Sequence, residues 1–252
     1  MKIGIIQGRL TEPKMGFQEC PKNWKREFDL LKQLGLNHIE WIITRQHYNK
    51  NPFFDTPLKG LPISSVCADF LVDEHFLNKS YYKETFKNVC EKAEEDNIKF
   101  ITIPLLEESS VVGADKRKKF IDIIAPYAEK YKNLNFSIEA ELEAEQLLEI
   151  VTKFDNFYIT YDTGNMTSFD VNHKEYIDLV FEKINNVHLK DRTFNGKTVI
   201  PGAGDTNFAL ILNKLNKMGY DKLYTIQTAR DLEGKEIDTI MSHKEYFQEL
   251  IK

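Results

Sequence analysis

Cysteine is scarce in these 252 residues: Cys20, Cys67 and Cys90 are odd in number, widely spaced and contain no CxxC pair. That excludes a disulfide framework and a thiolate zinc site, and it fits a reducing compartment. Glycine (12) and proline (8) are too few for a disordered or low-complexity chain. Positive charge is not in excess either. Lys and Arg number 34 against 39 Asp and Glu, a net charge of −5, which speaks against a broadly basic nucleic-acid surface. No apolar run approaches the ~20 residues that span a bilayer. The first apolar stretch is broken by Gln7 and Arg9 before it reaches the length of a signal-peptide core. The expectation is a soluble, cytoplasmic protein with neither membrane nor nucleic-acid partners.

What is present is alternation. Short runs rich in β-branched and aromatic residues exchange with longer stretches of helical period from one end to the other. Eight strands are predicted: Lys2 to Gln7, His38 to Ile42, Ile63 to Cys67, Lys99 to Ile103, Asn135 to Glu139, Phe157 to Asp162, Asn186 to Lys190 and Leu223 to Gln227. Helical patterns such as Asn23 to Leu34 and Tyr81 to Asp96 lie between them, with Lys and Glu on their outward faces. Eight βα units in this length predict an α/β chain folded as a single (β/α)8 TIM barrel, one domain over residues 1–252. An open doubly wound sheet would usually carry a glycine-rich phosphate turn after its first strand, whereas here that strand ends Gln7-Gly8-Arg9. In the second unit, the prolines of Asn51-Pro52-Phe53-Phe54-Asp55-Thr56-Pro57 leave room only for a short helix and a long loop.

A barrel collects its chemistry at the carboxyl ends of the strands. Strands five to eight end in Glu139, Asp162, His188 and Gln227. Carboxylate and carbonyl oxygens plus one imidazole form a mixed, hard donor set suited to a divalent ion such as Mn²⁺, Mg²⁺, Zn²⁺ or Co²⁺. Each residue has a structural alternative: Glu139 as a rim carboxylate, Asp162 as the cap of the next helix, His188 as a hydrogen-bonded strand histidine. Their joint placement on four adjacent strands, at the same end, favours the metal centre.

The segments Ser137-Ile138-Glu139, Tyr161-Asp162-Thr163-Gly164-Asn165, Asn186-Val187-His188-Leu189-Lys190-Asp191-Arg192 and Pro201-Gly202-Ala203-Gly204-Asp205 with Phe208 carry a resemblance. In order and spacing they resemble the last four units of the xylose isomerase-like (β/α)8 barrels, a family that contains sugar-phosphate isomerases and epimerases. The resemblance covers nearly the whole chain. It implies that Glu139, Asp162 and His188 are metal ligands, and it sets Gln227 where many members carry a second glutamate. A glutamine coordinates through its carbonyl oxygen but takes no proton. Inverting a carbon next to a carbonyl needs acid/base groups on both faces of a planar enediolate. Either the second base lies elsewhere, or the reaction works on one face, as in an aldose to ketose shift.

Glu139 is the expected general base. Glu141 shares its strand parity, and Lys190 follows His188 into the mouth, so these are the further catalytic candidates. Substrate contacts are expected from Glu40 at the end of strand two, Asp69 after strand three, His75 in the third-unit loop, Asn165 after strand six and Arg192 after strand seven. Trp41 is a candidate cover for a sugar face. Arg9 and Arg230 follow the first and last strands, which adjoin in a closed barrel, so both guanidiniums can face one phosphate. The N–H groups of Gly202 and Gly204 are a second candidate anion site. Cys67 reads as a small buried hydrophobe, and Tyr161, of opposite parity to Asp162, as packing. The expectation is an enzyme of carbohydrate metabolism: a divalent-metal-dependent isomerase or epimerase of a small sugar or sugar phosphate, acting through an enediolate. A non-catalytic metal- and sugar-binding barrel is the alternative that Gln227 keeps open. An endonuclease IV-like phosphodiesterase is disfavoured by six histidines and the net negative charge. An inosose-type dehydratase would share the enolising step. Barrels of this kind often associate, which leaves a homo-oligomer open.

Overall fold

A computed structural model describes residues 1–12, 19–72, 76–77, 82–230 and 233–251. Eight parallel strands close into a barrel: β1 (Lys2–Ile6), β2 (Ile39–Ile42), β3 (Ile63–Cys67), β4 (Phe100–Leu105), β5 (Asn135–Ala140), β6 (Phe157–Asp162), β7 (Ile184–Leu189) and β10 (Leu223–Ile226). Their order around the barrel is β1-β10-β7-β6-β5-β4-β3-β2. β8 (Asp191–Arg192) and β9 (Thr198–Val199) form a separate antiparallel ribbon in the connection after β7. The helices are α1 (Trp24–Gln33), α2 (Tyr82–Glu95), α3 (Ala114–Lys130), α4 (Ala144–Val151), α5 (Thr163–Ser168), α6 (His173–Val180), α7 (Phe208–Lys217) and α8 (Glu236–Glu249). This is the (β/α)8 barrel expected from the alternation. Among the described residues no helix is long and apolar enough to cross a membrane.

The second unit is the irregular one. β2 is followed by a single 3-10 turn, Tyr48–Lys50, and no α-helix precedes β3. Pro52 and Pro57 supply the reason, since each lacks an N–H and restricts the residue before it. Phe53 and Leu58 bury themselves in the core in place of a helix face.

Strand parity divides the sheet chemically. Phe136 and Ile138, Phe157 and Ile159, Val187 and Leu189, Tyr224 and Ile226 join the main apolar core with buried helix residues such as Leu147, Ile177 and Leu212. The alternate positions Ser137, Thr160, Asn186 and Thr225 are buried and polar. Buried polar groups are costly unless they are hydrogen-bonded, and these bond to one another. Ser137 Oγ lies 2.6 Å from Thr160 Oγ1 and donates to Asn185 Oδ1 at 2.5 Å, while Thr225 Oγ1 donates to Asn186 Oδ1 at 2.9 Å. The β6–β7 register shifts so that Ile159 pairs with Ile184 but Thr160 with Asn186, skipping Asn185. That irregularity lets both Asn185 and Asn186 turn polar atoms to interior partners. β7 begins at Ile184, two residues before the expected Asn186. At Gly4 on β1 a Cβ would collide with the carbonyl and ring of His38, so glycine permits His38 to lie over the strand.

Candidate metal centre

One layer above the polar interior, towards the carboxyl ends, stand Glu139, Asp162, His188 and Gln227, all buried. Parity explains the level: each follows by two residues one of the interior polar groups Ser137, Thr160, Asn186 and Thr225. One ligand atom each from Glu139, Asp162 and His188 lies within 4.8 Å of the others. His188 Nδ1 is 3.5 Å from Glu139 Oε2 and 3.9 Å from Asp162 Oδ2. That Nδ1 is buried and has no hydrogen-bond partner among the described residues. Gln227 is held beside them by its backbone N–H, which donates to the Leu189 carbonyl at 3.0 Å. Two carboxylates and an orphaned imidazole nitrogen turned towards them fit a hard to borderline divalent ion.

Asp162 caps the next helix, as one reading of its sequence suggested, and its second carboxylate oxygen faces the cluster. Oδ1 accepts the Asn165 backbone N–H at 2.8 Å and caps α5, while Oδ2 accepts from Lys190 Nζ at 3.2 Å. The cap sets the first turn of α5 so that the Asn165 amide reaches back to Glu139. Its Nδ2 donates to Glu139 Oε1 at 2.9 Å, and its Oδ1 accepts from Lys190 Nζ at 3.2 Å and Arg192 Nη1 at 2.9 Å. Arg192 Nη1 also meets Glu141 Oε1 at 3.4 Å. Gly164 allows the close approach, since a Cβ there would press on the Lys190 carbonyl and the Arg192 side chain. The structure therefore brings together Glu139, Glu141, Asp162, Asn165, His188, Lys190, Arg192 and Gln227 from four strands.

Burial raises Glu139 up to about 7, with the Asp162 charge adding to it against the pull of His188. Burial alone would lower His188, but the Glu40 and Glu139 charges and the hydrogen bond to Glu40 outweigh it and raise it to about 9. Without a cation the cluster thus offsets its negative charge by holding protons. Both values lie above the ordinary ones, so a divalent ion must displace protons, and its affinity falls as pH drops through 9 and then 7. Zinc or manganese titrations at pH 6, 7 and 8.5 are expected to show progressively tighter binding with proton release. Affinity that is flat across this range would contradict the protonation scheme.

Several expected substrate contacts lie elsewhere. Glu40 faces away from the mouth: its carboxylate accepts from Thr102 Oγ1 at 2.5 Å and Asn186 Nδ2 at 3.1 Å, and Oε2 is 2.7 Å from His188 Nε2. It is fully buried beneath His188, because strand parity aims it into the barrel interior. Trp41 has the opposite parity and is equally buried. Its ring packs among Trp24, Phe28 and Phe53, and its Nε1 donates to Asn51 Oδ1 at 2.9 Å, so it belongs to the core and covers no sugar. Asp69, by contrast, stands where expected, half-buried in the short turn just past the carboxyl end of β3. His75 lies outside the described residues.

Barrel closure juxtaposes Arg9 and Arg230 as expected; each bonds the other's strand end, while Arg230 Nε and Nη1 have no hydrogen-bond partner among the described residues. Arg9 Nε donates to the Thr228 carbonyl at 3.3 Å, and Arg230 Nη2 donates to the Gly8 carbonyl. Glu27 of α1 supplies nearby negative charge while accepting the N–H groups of Gly8 and Leu10 at 2.9 Å each. Burial, then the charge of Arg230, lowers Arg9 to about 9. The Gly202 and Gly204 N–H groups are spent: they donate to Asp191 Oδ2 at 2.8 and 3.0 Å. Asp191 is thus the anion that this loop binds. Cys67 joins Ile6 and Ile42 in a small apolar cluster, and the Tyr161 ring packs on Tyr176, as their sequence positions suggested. Thr102, Asn186 and Thr225 were missed as supports of the site. For Asn186 and Thr225 the signal was available, since each lies two positions before a site residue, His188 and Gln227.

The sequence profile of the xylose isomerase-like TIM barrel family matches residues 22–249. No curated protein matches the chain in sequence. Among solved structures, the IolI protein with a bound zinc atom superposes with a TM-score of 0.75 at 19% identity, covering 100% of this chain and 98% of its own. D-Psicose 3-epimerase from Clostridium cellulolyticum H10, solved with D-tagatose, has a TM-score of 0.72 at 13% identity over 100% of both chains. The 3-keto-D-glucoside 4-epimerase YcjR from E. coli, in its apo form, has a TM-score of 0.70 at 15% identity over 99% of each. At these identities the likeness is one of fold.

Proposed function

This chain belongs to the xylose isomerase-like TIM barrel family, and from that premise we propose that it is a divalent-metal-dependent isomerase or epimerase of a small sugar or sugar phosphate. The observation that carries the reading is the buried Glu139–Asp162–His188 cluster at the barrel mouth with its unpartnered imidazole nitrogen. The sugar epimerases among the solved structures of the same fold support it.

A divalent ion held by Glu139, Asp162, His188 and Gln227 supplies Lewis-acid stabilisation of the negative charge that develops on a carbonyl oxygen. Glu139 removes the proton from the neighbouring carbon. Its carboxylate is oriented by the Asn165 amide on Oε1. Lys190 and Arg192, gathered on Asn165 Oδ1, are the hydrogen-bond donors for substrate hydroxyl or phosphate oxygens. Gln227 carries no exchangeable acid, so a reaction that inverts the carbon draws its second proton carrier from Glu141 or Lys190. A one-face isomerisation needs neither.

The test is elemental analysis of the purified protein, then incubation of the metal-supplemented protein with ketoses and ketose phosphates in D₂O, read by NMR. A near-stoichiometric divalent metal with substrate deuteration is the expected result, and the labelled carbon separates a 1,2-shift from 3-epimerisation. Sugar binding without exchange across the panel would favour the non-catalytic barrel that Gln227 allows. No metal under any supplementation would overturn the reading.

A further inference from the structure

Glu40 is a carboxylate with no access to solvent, set on β2 and therefore separated from β7 in the barrel by β1 and β10. A buried charge is costly and persists only where its partners are well placed. Here the partners come from across the interior, and the hydrogen-bond directions can be worked out from one end. Thr225 Oγ1 has a single hydrogen, which it donates to Asn186 Oδ1 at 2.9 Å. It must therefore accept from His38 Nε2 at 3.0 Å, and burial, which lowers His38 to about 4, keeps that ring neutral. With its oxygen bound to Thr225, the Asn186 amide turns Nδ2 to Glu40 Oε2 at 3.1 Å. Thr102 donates to the other carboxylate oxygen at 2.5 Å. The Thr102 and Asn186 donors both converge on Glu40, so Glu40 acts as an acceptor. The atom left to meet it is His188 Nε2 at 2.7 Å, which must carry a hydrogen.

We propose that Glu40 is a positioning residue: by accepting the His188 Nε2–H inside the barrel, it fixes that tautomer and leaves the Nδ1 lone pair facing Glu139 and Asp162 as the metal donor. The proposal rests on the metal-centre reading above. A carboxylate behind a ligating imidazole fixes ring orientation and raises its basicity as a ligand. The Thr102, Asn186, Thr225 and His38 chain anchors Glu40 in turn, which accounts for a polar interior where a TIM barrel is ordinarily filled with branched apolar side chains.

Two measurements test it on the full-length chain. Zinc affinity is read by competition with a chromophoric chelator for wild type and Glu40→Gln, a near-isosteric change that keeps an acceptor but removes the charge. About 10- to 100-fold weaker binding is expected, with the zinc-free variant retaining its circular dichroism. Nitrogen-15 NMR of the zinc-loaded, histidine-labelled wild type needs no substitution: His188 should show a protonated Nε2 and a zinc-bound Nδ1. Zinc bound through Nε2, or wild-type affinity in the folded Glu40→Gln variant, overturns the role of Glu40 while leaving the metal centre standing. A wild-type chain that takes up no zinc, manganese, magnesium or cobalt overturns both.

Discussion

Replacing Glu139 by Gln is expected to reduce substrate deuterium exchange by about 10²- to 10⁴-fold, the range that a positioned acid/base group contributes. The change is nearly isosteric, and the Asn165 Nδ2 donor at Oε1 can still find an acceptor, so the barrel should remain folded. What is lost is the carboxylate that takes the proton. An amide nitrogen turned towards His188 Nδ1 would also oppose a cation, so the assay belongs at saturating metal, with occupancy confirmed by elemental analysis. Exchange at the wild-type rate in the metal-loaded variant would remove Glu139 from the chemistry and shift attention to Glu141 and Lys190.

The second large effect concerns the ion. His188→Ala and Asp162→Ala are each expected to weaken zinc or manganese by more than the ~10- to 100-fold typical of losing an outer partner of a ligand. Elemental analysis after gel filtration and chelator competition check this, and unchanged stoichiometry in both variants would refute the coordination set. Each carries a structural cost that must be separated from it. Asp162→Ala removes the α5 cap, worth about 1 kcal/mol. Asp162→Asn can keep the acceptor for Asn165 and isolates the loss of charge. His188→Ala leaves Glu40 buried without its imidazole partner, and breaking such a pair costs about 3–5 kcal/mol. Urea unfolding of the metal-free proteins measures that share.

Much of this molecule was legible along the chain. Eight apolar runs alternating with helical patterns predicted the barrel, because each strand-forming segment is short, β-branched and bounded by polar turns. The strand ends of Glu139, Asp162 and His188 followed from the same pattern, and β3 and β6 begin and end as expected. The errors share a cause. Glu40 and Trp41 were both expected at the mouth because they lie at the end of a strand, yet adjacent residues on a strand face opposite sides of the sheet. One therefore points into the barrel and the other into the helical layer. Gly202 and Gly204 have the composition of an anion site, but their N–H donors are taken by Asp191, whereas Arg9 and Arg230 do meet, with Arg230 Nε and Nη1 left without a hydrogen-bond partner among the described residues.

The sequence by itself determined the periodicity, and through it the fold class, the number of barrel strands and the end at which the polar residues collect. Those properties are local: they depend on which residues lie two, three or four positions apart. Only the tertiary structure decided that Glu40 stands behind His188, 148 positions away, and that the His188 Nδ1 is left facing two carboxylates. The Glu40–His188 and His188–Glu139 contacts cross the barrel interior between strands that are not neighbours. They exist only once all eight strands have closed, and no spacing along the chain encodes which pair will meet.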